Sequence, residues 1–244
     1  VIRCPPLCGE RAVIRIHAAE VRSRHPEDLG LPEETHAGLV RKLEETSGVL
    51  LITGPAGSGK TTTAYAAVRH LARTAAGSKS LVSLEDPIEV ALPGVAQSQV
   101  NIAAGFDLAA GLRSLMRQDP EVILVGEIRD RPAAETAFQA ALTGHLVLTT
   151  FHASNCTSAL SRLADMGIEP YLLRSGIRGV LSQRLVRRLC SCAIPIEREE
   201  QKLGLPLSNG RVASKCDACA RTGYSGRLVL AELLPPLEGE LATA

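Results

Sequence analysis

The chain has 244 residues, of which 45% are hydrophobic and only 2% aromatic, and its formal net charge is +1. This length holds one α/β domain with a small appendage, and the near-neutral charge with so few aromatic side chains argues against a nucleic-acid-binding protein. The longest apolar runs, such as residues 49–52 and 122–125, have the length of strands and fall far short of the roughly 20 residues of a membrane-spanning helix. No export signal is recognised at the N-terminus, so we expect a cytoplasmic protein.

Strand-like and helix-like segments alternate along the chain. A strand is predicted at residues 12–16, a charged linker at 22–33, and a helix that begins at Pro32. The alternation continues to residue 189 and predicts an α/β fold, with a mostly parallel sheet that is covered by helices on both faces. The later predicted segments are strand 49–53, helix 61–75, strand 81–84, a β-rich stretch 95–100, helix 107–118, strand 122–125, helix 132–142, strand 146–150 and helices up to residue 189.

Residues 54–61 form a glycine-rich loop between a predicted buried strand and a predicted helix. They match the Walker A pattern G-x-x-x-x-G-K-[ST], whose glycines let backbone N–H groups surround phosphate oxygens. We expect the Lys60 ammonium to reach the β- and γ-phosphates of ATP and the Thr61 hydroxyl to ligate Mg²⁺. A turn that only joined the strand to the helix would not need this lysine. The residues predicted to bind nucleotide here are Gly54, Gly57, Ser58, Gly59, Lys60, Thr61 and Thr62.

Two acidic residues follow predicted strands. Glu85 comes directly after one strand, and Glu127 comes two residues after another. Hydrolysis needs a carboxylate that polarises the attacking water; we expect Glu127 to fill this role and Glu85 to support the metal or the water. The alternative is that both are solvated strand ends. Gly126 stands where most P-loop proteins have an aspartate, so magnesium is expected to depend on Thr61, water and an acid from elsewhere.

The predicted strand 146–150 has a histidine near each end, His145 and His152. Both are candidates for sensing the γ-phosphate or for relaying contacts between subunits, and a structural role for His145 is the alternative. The remaining histidines lie outside such a setting and are expected at the surface; they are His17, His25, His36 and His70.

Six motifs in one order resemble the secretion ATPase family of type II secretion and type IV pili, and the resemblance covers nearly the whole chain. In that family's pattern Glu127 is the catalytic carboxylate, Glu85 is the acid of the Asp box, and His145 and His152 are the histidine pair. The family itself has glycine before the catalytic glutamate. The motifs are the loop at 54–61, Leu-Glu-Asp-Pro-Ile-Glu at 84–89, Gln-Val-Asn at 99–101, segment 112–120, Gly-Glu-Ile-Arg-Asp at 126–130 and the histidine segment 143–155.

The resemblance implies a RecA-like P-loop ATPase that works as a homo-oligomer, a hexameric ring, on the cytoplasmic face of the inner membrane, where it meets membrane platform proteins. Arginines offered by a neighbouring subunit would neutralise the γ-phosphate, and Arg15 matches a family position of this kind. It also implies a division of the chain into the end of an N-terminal domain with its linker (1–26), an ATPase core (27–188), a cysteine-rich lobe (189–226) and a C-terminal segment (227–244).

Four cysteines near the C-terminus form two close pairs, Cys190 with Cys192 and Cys216 with Cys219. Members of the family that drive secretion or pilus extension carry two Cys-x-x-Cys pairs at this place, after a helix that ends in a sequence like that of residues 183–189. Four thiolates suit a tetrahedral structural Zn²⁺ that fastens a small lobe. The first pair is one residue shorter than usual, so reduced free thiols are the alternative.

Three functions follow from these observations. The leading hypothesis is an ATP-hydrolysing motor subunit that powers type II secretion or type IV pilus assembly, and the sequence does not decide between the two machines. The second is an assembly subunit that binds nucleotide but hydrolyses it poorly. The third is a RecA-like nucleic-acid motor, against which the near-neutral charge and few aromatic residues speak, so no nucleic-acid partner is expected.

Overall fold

The computed structural model describes residues 24–197, 204, 206 and 208–236, together with the backbone of residues 2–4 and 11–13. Among these residues the helices are α1 Glu33–Leu43, α2 Lys60–Ala75, α3 Leu108–Leu115, α4 Arg131–Leu142, α5 Cys156–Asp165 and α6 Pro170–Gly176. The strands are β1 Ile2–Cys4, β2 Arg11–Val13, β3 Gly48–Thr53, β4 Leu81–Glu85, β5 Ala96–Gln99, β6 Val122–Glu127, β7 Leu146–Phe151, β8 Ile177–Leu189, β9 Ile194–Pro195, β10 Arg211–Val212 and β11 Tyr224–Leu234.

Seven strands form one sheet in the order β11-β8-β3-β7-β6-β4-β5. All neighbours are parallel except β11, which runs antiparallel to β8. The pairs β1–β2 and β9–β10 are antiparallel and lie outside this sheet. The predicted α/β fold with a mostly parallel sheet is confirmed.

The central strand β3 is buried on both faces. Val49 and Leu51 belong to a core that contains Phe138 of α4, whereas Leu50 and Ile52 belong to the core on the other face, with α1 and α2. Successive side chains of a strand point to opposite faces, so a strand covered by helices on both sides must be apolar throughout. Among the described helices, none has the length and apolar character needed to cross a bilayer.

The prediction of helices up to residue 189 is wrong for its last part, because residues 177–189 form β8. Residues 177–182 of β8 pair with β3 in parallel, and residues 180–189 pair with β11 in antiparallel register, with Arg187 opposite Arg227 and Leu185 opposite Val229. Gln, Arg and Leu are good helix formers, so the local preference of this segment is helical. Pairing with a strand about 40 residues later overrides that preference.

Residues 227–234, which belong to the segment predicted to follow the cysteine-rich lobe, are part of β11 and so belong to this sheet. The inner side chains of β11 pack against α1, where a Cβ atom on Gly38 would lie only 2.6 Å from the Leu233 side chain.

Because β3, β4, β6 and β7 are parallel, their carboxyl ends meet at one edge of the sheet. This edge therefore holds the start of the glycine-rich loop at Gly54 and the residues Glu85, Glu127 and His152. Ligands of open α/β sheets bind at this kind of edge, outside the carboxyl ends of the strands.

Candidate active site

The glycine-rich loop connects β3 to α2, as predicted. Its glycines have left-handed backbone conformations, with φ of 152° at Gly54, 73° at Gly57 and 91° at Gly59. A Cβ atom on Gly57 would meet nothing within 4 Å, so this glycine is required for its backbone conformation alone. The 16-residue helix α2 begins inside the loop at Lys60, and the partial positive charge at its N-terminus favours an anion there.

Lys60 is a buried cation within the loop. Its Nζ donates to the carbonyl oxygens of Gly54 at 2.9 Å and Pro55 at 3.1 Å, and lies 3.4 Å from Nδ1 of His152. Burial lowers the pKa of Lys60, whereas the charge of Glu127 raises it. Neutral carbonyl oxygens hold the ammonium in this arrangement, and phosphate oxygens in the loop would be stronger acceptors for it because they are charged.

Glu127 ends β6 and lies within a chain of charged groups. Its Oε1 is 2.8 Å from Nε2 of His152, and its Oε2 accepts a hydrogen bond from Nε of Arg129 at 2.8 Å. Arg129 also approaches Oδ2 of Asp86 at 3.8 Å. Since Nδ1 of His152 faces the Lys60 ammonium, we assign it as the acceptor nitrogen, which leaves the proton on Nε2. The contact of Nε2 with Oε1 of Glu127 is close but is not aligned as a hydrogen bond, and among the described residues this oxygen has no hydrogen-bond partner. One imidazole thus connects the loop lysine to the carboxylate.

Gly126 precedes this carboxylate, and its environment leaves little room for a side chain. A Cβ atom there would lie 3.3 Å from Cα of Glu85 and 3.5 Å from the Leu84 carbonyl oxygen, both of which belong to the backbone of β4. The pairing between β6 and β7 also shifts register between Val125 and Glu127. The close approach of β4 explains in physical terms why the position usually held by aspartate is a glycine in this chain.

Glu85 is the last residue of β4 and is only 3% exposed. Its Oε1 accepts hydrogen bonds from Ser83 Oγ at 2.6 Å and Gln97 Nε2 at 3.0 Å, and its Oε2 accepts one from the Tyr65 hydroxyl. Burial, followed by this contact with Glu85, raises the pKa of Tyr65, so the phenol stays protonated and donates. The Tyr65 oxygen also accepts from the Glu89 amide at 3.1 Å.

The structure brings most of the predicted site residues together at one edge of the sheet. Thr61, Glu85 and Glu127 line one cavity of about 120 Å³, and Thr62 follows in the first turn of α2. His145 lies elsewhere, because it precedes β7 whereas His152 follows it. Six strand residues lie between them, so the two histidines are roughly 23 Å apart at the usual rise of a strand. Arg15 lies outside the described residues.

His145 is held by its own local contacts at the far edge. Its Nδ1 lies 2.8 Å from the Ala140 carbonyl oxygen and 3.3 Å from the Thr143 hydroxyl, at the end of α4. Within this chain it therefore has no path to a phosphate in the loop. Its predicted role in contacts between subunits stays a prediction.

The other histidines differ in part from the expectation that they lie at the surface. His25, His36 and His70 are half-buried, and each has a buried ring nitrogen without a described hydrogen-bond partner. Burial, and next the charge of Arg73, lower the pKa of His70, and His25 and His36 are close enough to lower it further. Three imidazoles thus gather where α1 and α2 meet the 3₁₀ turn Pro26–Leu29. His17 lies outside the described residues.

The four predicted cysteines form one cluster. The Sγ atoms lie within 4.8 Å of one another, with distances of 3.8 Å between Cys190 and Cys216, 4.0 Å between Cys192 and Cys219, and 3.6 Å between Cys216 and Cys219. Hydrogen bonds with the backbone of Cys216 and Gly223 lower the pKa of the Cys219 thiol to about 6. The shortened spacing of the first pair does not keep its thiols out of the cluster.

Sequence reasoning missed several residues that support the site. One of them is Gln183 of β8, which is 2% exposed and bonds both the loop and α2. The incorrect helix prediction concealed it, since a strand prediction would have placed this polar residue next to β3. Tyr65 and Gln97 carried no signal in the sequence, because only the folded chain brings them to Glu85. Arg129 lies within the motif at 126–130, but the motif alone does not indicate its contacts with Glu127 and Asp86.

Comparison with known proteins agrees with this geometry. A model of the family described as type II/IV secretion system protein matches residues 1–242. The chain is 46% identical over 226 residues to the type II secretion system protein HxcR of Pseudomonas aeruginosa, covering 92% of this chain and 45% of that protein. It is 42% identical over 238 residues to the type II secretion system ATPase E of Vibrio cholerae, covering 94% and 46%.

Among solved structures, the pilus retraction motor PilT with bound ADP resembles this chain with a TM-score of 0.62 and 27% identity, over 90% of this chain and 55% of that one. The predicted RecA-like P-loop fold is thereby confirmed. The chain spans about half the length of the curated relatives that it matches. With a family model that matches almost every residue and relatives above 40% identity, the chain belongs to the type II/IV secretion system protein family.

Proposed function

We propose that this chain is the ATP-binding and ATP-hydrolysing part of a motor subunit that powers type II protein secretion or type IV pilus assembly. The observation that carries the proposal is the linked arrangement of Lys60, His152 and Glu127, in which a P-loop lysine and a strand-end carboxylate contact the same imidazole. Lys60 thus offers a cation to the phosphates and Glu127 offers a base to the attacking water, and the two groups lie on either side of the His152 ring.

The residues divide the work of hydrolysis as follows. Lys60 and the N-terminus of α2 hold the β- and γ-phosphates of ATP, and Glu127 accepts a proton from the water that attacks the γ-phosphorus. The bond between that phosphorus and the β,γ-bridging oxygen breaks, and ADP and phosphate result. His152, with its proton on Nε2, holds the Glu127 carboxylate in place and senses whether Lys60 is engaged with phosphate.

Thr61 is the residue that would ligate Mg²⁺, which supplies neutralisation of the phosphate charge when bound. The cavity that it shares with Asp86 and Glu127 suits a hard cation with oxygen ligands. Glu85 fits this role less well than the sequence suggested, because Tyr65, Ser83 and Gln97 already donate to its two oxygens. We assign Glu85 to holding the end of β4 beside the site.

Measurement of ATP turnover by Glu127→Gln tests the proposal. The substitution keeps the size of the side chain and removes its basicity, so turnover by the full-length protein is expected to fall roughly 10²- to 10⁴-fold while nucleotide still binds. Glu135→Gln is the matched control, since Glu135 forms an ion pair with Arg131 at 2.6 Å on the surface of α4. This variant is expected to hydrolyse ATP at the wild-type rate. Equal turnover by wild type and Glu127→Gln would remove the assigned role.

The two alternative functions predict different outcomes of the same assays. Tight ATP binding without turnover, even in assembled oligomers, would favour an assembly subunit that binds nucleotide as a switch. Stimulation of turnover by single-stranded DNA would favour a nucleic-acid motor.

The proposal includes a homo-oligomer, most simply the hexameric ring that the family resemblance implies, at the cytoplasmic face of the inner membrane. The site within one chain supports an oligomer, because Arg129, which lies beside the proposed catalytic carboxylate, already contacts Glu127 and Asp86. Another cation is then needed to neutralise the γ-phosphate. Arginines from a neighbouring subunit, Arg15 among them, would complete the neutralisation of the γ-phosphate. The platform proteins of the inner membrane are the proposed docking partners.

The cysteine cluster is proposed to hold a structural Zn²⁺ through Cys190, Cys192, Cys216 and Cys219. A tetrahedral ion with Zn–S bonds of about 2.3 Å separates its sulfurs by about 3.8 Å; three pairs of Sγ atoms in the cluster lie 3.6 to 4.0 Å apart, and all four lie within 4.8 Å of one another. Elemental analysis is expected to find one zinc per chain, lost in Cys216→Ser. Metal-free protein with four freely reactive thiols at the cluster would contradict the proposal.

A further inference from the structure

The strand β8 passes beside the phosphate-binding loop, and its residue Gln183 lies between the loop and α2. The carboxamide makes a hydrogen bond at each end, as Nε2 donates to the Ser58 carbonyl oxygen at 2.7 Å and Oε1 accepts from the Thr63 hydroxyl at 2.9 Å. A carbonyl oxygen can only accept, so the amide group must face Ser58. Both bonds are buried, and Gln183 itself is 2% exposed.

The glycines of the loop permit this contact. A Cβ atom on Gly54 would lie 2.3 Å from the backbone oxygen of Gln183, and one on Gly59 would lie 3.1 Å from its Nε2. The loop is thus pressed against β8 near both of its ends. Gly54 and Gly59 therefore allow the loop to lie close to β8, in addition to giving the loop the shape that surrounds phosphate.

We propose that Gln183 is a positioning residue that holds the phosphate-binding loop in the conformation that accepts nucleotide. This inference rests on the proposed nucleotide-binding function of the loop. Ordering a backbone segment costs conformational entropy, and a loop that is ordered before the ligand arrives spares the ligand that cost. Gln183 orders the loop from inside the protein, where it is 2% exposed.

The variant Gln183→Met separates this role from a merely structural one. Methionine has a similar length, but it forms neither bond. We expect the dissociation constant of a fluorescent ADP analogue to rise about tenfold, the effect of losing two ordinary hydrogen bonds that preorganise the loop. A structural role would instead lower the unfolding temperature of the nucleotide-free protein and leave the dissociation constant unchanged.

Further variants keep the test decisive if Gln183→Met folds poorly. Thr63→Val removes only the hydrogen bond from the Thr63 hydroxyl to Oε1 of Gln183, and the expected rise in dissociation constant is about two- to fivefold. Gln183→Glu keeps the bond to Thr63 but faces the Ser58 carbonyl with a second acceptor, so its affinity is expected to be at least as low as that of the methionine variant. Gln139→Met, on the exposed surface of α4, is the control and is expected to bind as wild type does.

The outcomes also distinguish this inference from the function on which it rests. If wild-type protein fails to bind the ADP analogue, the proposed function is wrong. If wild type binds and any folded variant at Gln183 binds equally well, the positioning role is wrong and the function stands.

Discussion

Replacing Tyr65 by phenylalanine tests how the buried carboxylate of Glu85 is stabilised. The substitution removes one hydroxyl and leaves Glu85, which is 3% exposed, with two donors in place of three. It also leaves the Glu89 amide without the oxygen that accepts from it at 3.1 Å. Hydrogen bonds to charged groups contribute about 1.5–3 kcal/mol, so we expect the free energy of unfolding to fall by about 2 kcal/mol. In a chain of this size, that change lowers the unfolding midpoint by roughly 4–8 °C.

Urea unfolding at neutral pH measures this change, and the slope of the free energy against urea is expected to stay constant because the surface exposed on unfolding is the same. Tyr171→Phe is the matched control, since Tyr171 is 58% exposed on α6, and a shift within about 0.5 kcal/mol is expected there. If Tyr65→Phe is as mild as Tyr171→Phe, the hydroxyl of Tyr65 does not stabilise the Glu85 carboxylate.

Three further predictions concern the loop, the strand end and the histidine cluster. Lys60→Ala should weaken ATP binding by about a hundredfold, as measured by calorimetry, because it removes a charge-assisted bond to phosphate; unchanged affinity would exclude the loop as the binding site. Gly126→Ala should cost about 1–3 kcal/mol in urea unfolding, because the added methyl group meets the β4 backbone at 3.3 Å; an unaltered midpoint would contradict the steric explanation for this glycine. Because burial and Arg73 lower the pKa of His70 from its ordinary value of 6.5, the unfolded chain binds more protons, and stability should fall as pH drops below 6.5. His70→Gln should make that decline shallower in unfolding series from pH 5 to 8, and an equally steep decline would remove His70 as its cause.

Much of the fold was predictable because its signals are local. The strand β3, the loop and α2 were placed to within one residue, since a continuous apolar run, a glycine pattern and a lysine at a helix start lie side by side in the sequence. Glu127 and His152 were found for a related reason. Each comes two residues after a predicted strand, and parallel strands carry their ends to the same edge.

The failures were the parts that depend on contacts between distant segments. Residues 183–189 have helical preferences, and only the pairing of β8 with β11 makes them a strand. Gln183 therefore could not be recognised as part of the site. The two histidines at the ends of β7 look alike in the sequence, but strand direction separates them, and His145 belongs to the far edge. Similarly, two of the three donors that occupy Glu85 come from α2 and β5, and their convergence is a property of the folded sheet.

The strand β8 has a mechanical consequence. At one point it bonds the loop through Gln183, and seven residues later the chain reaches Cys190, the first member of the cysteine cluster. An extended chain of that length covers roughly 23 Å and is stiff along its axis, because paired strands resist sliding past each other. A load applied to the cysteine-rich lobe is therefore expected to reach the back of the phosphate-binding loop as tension along β8.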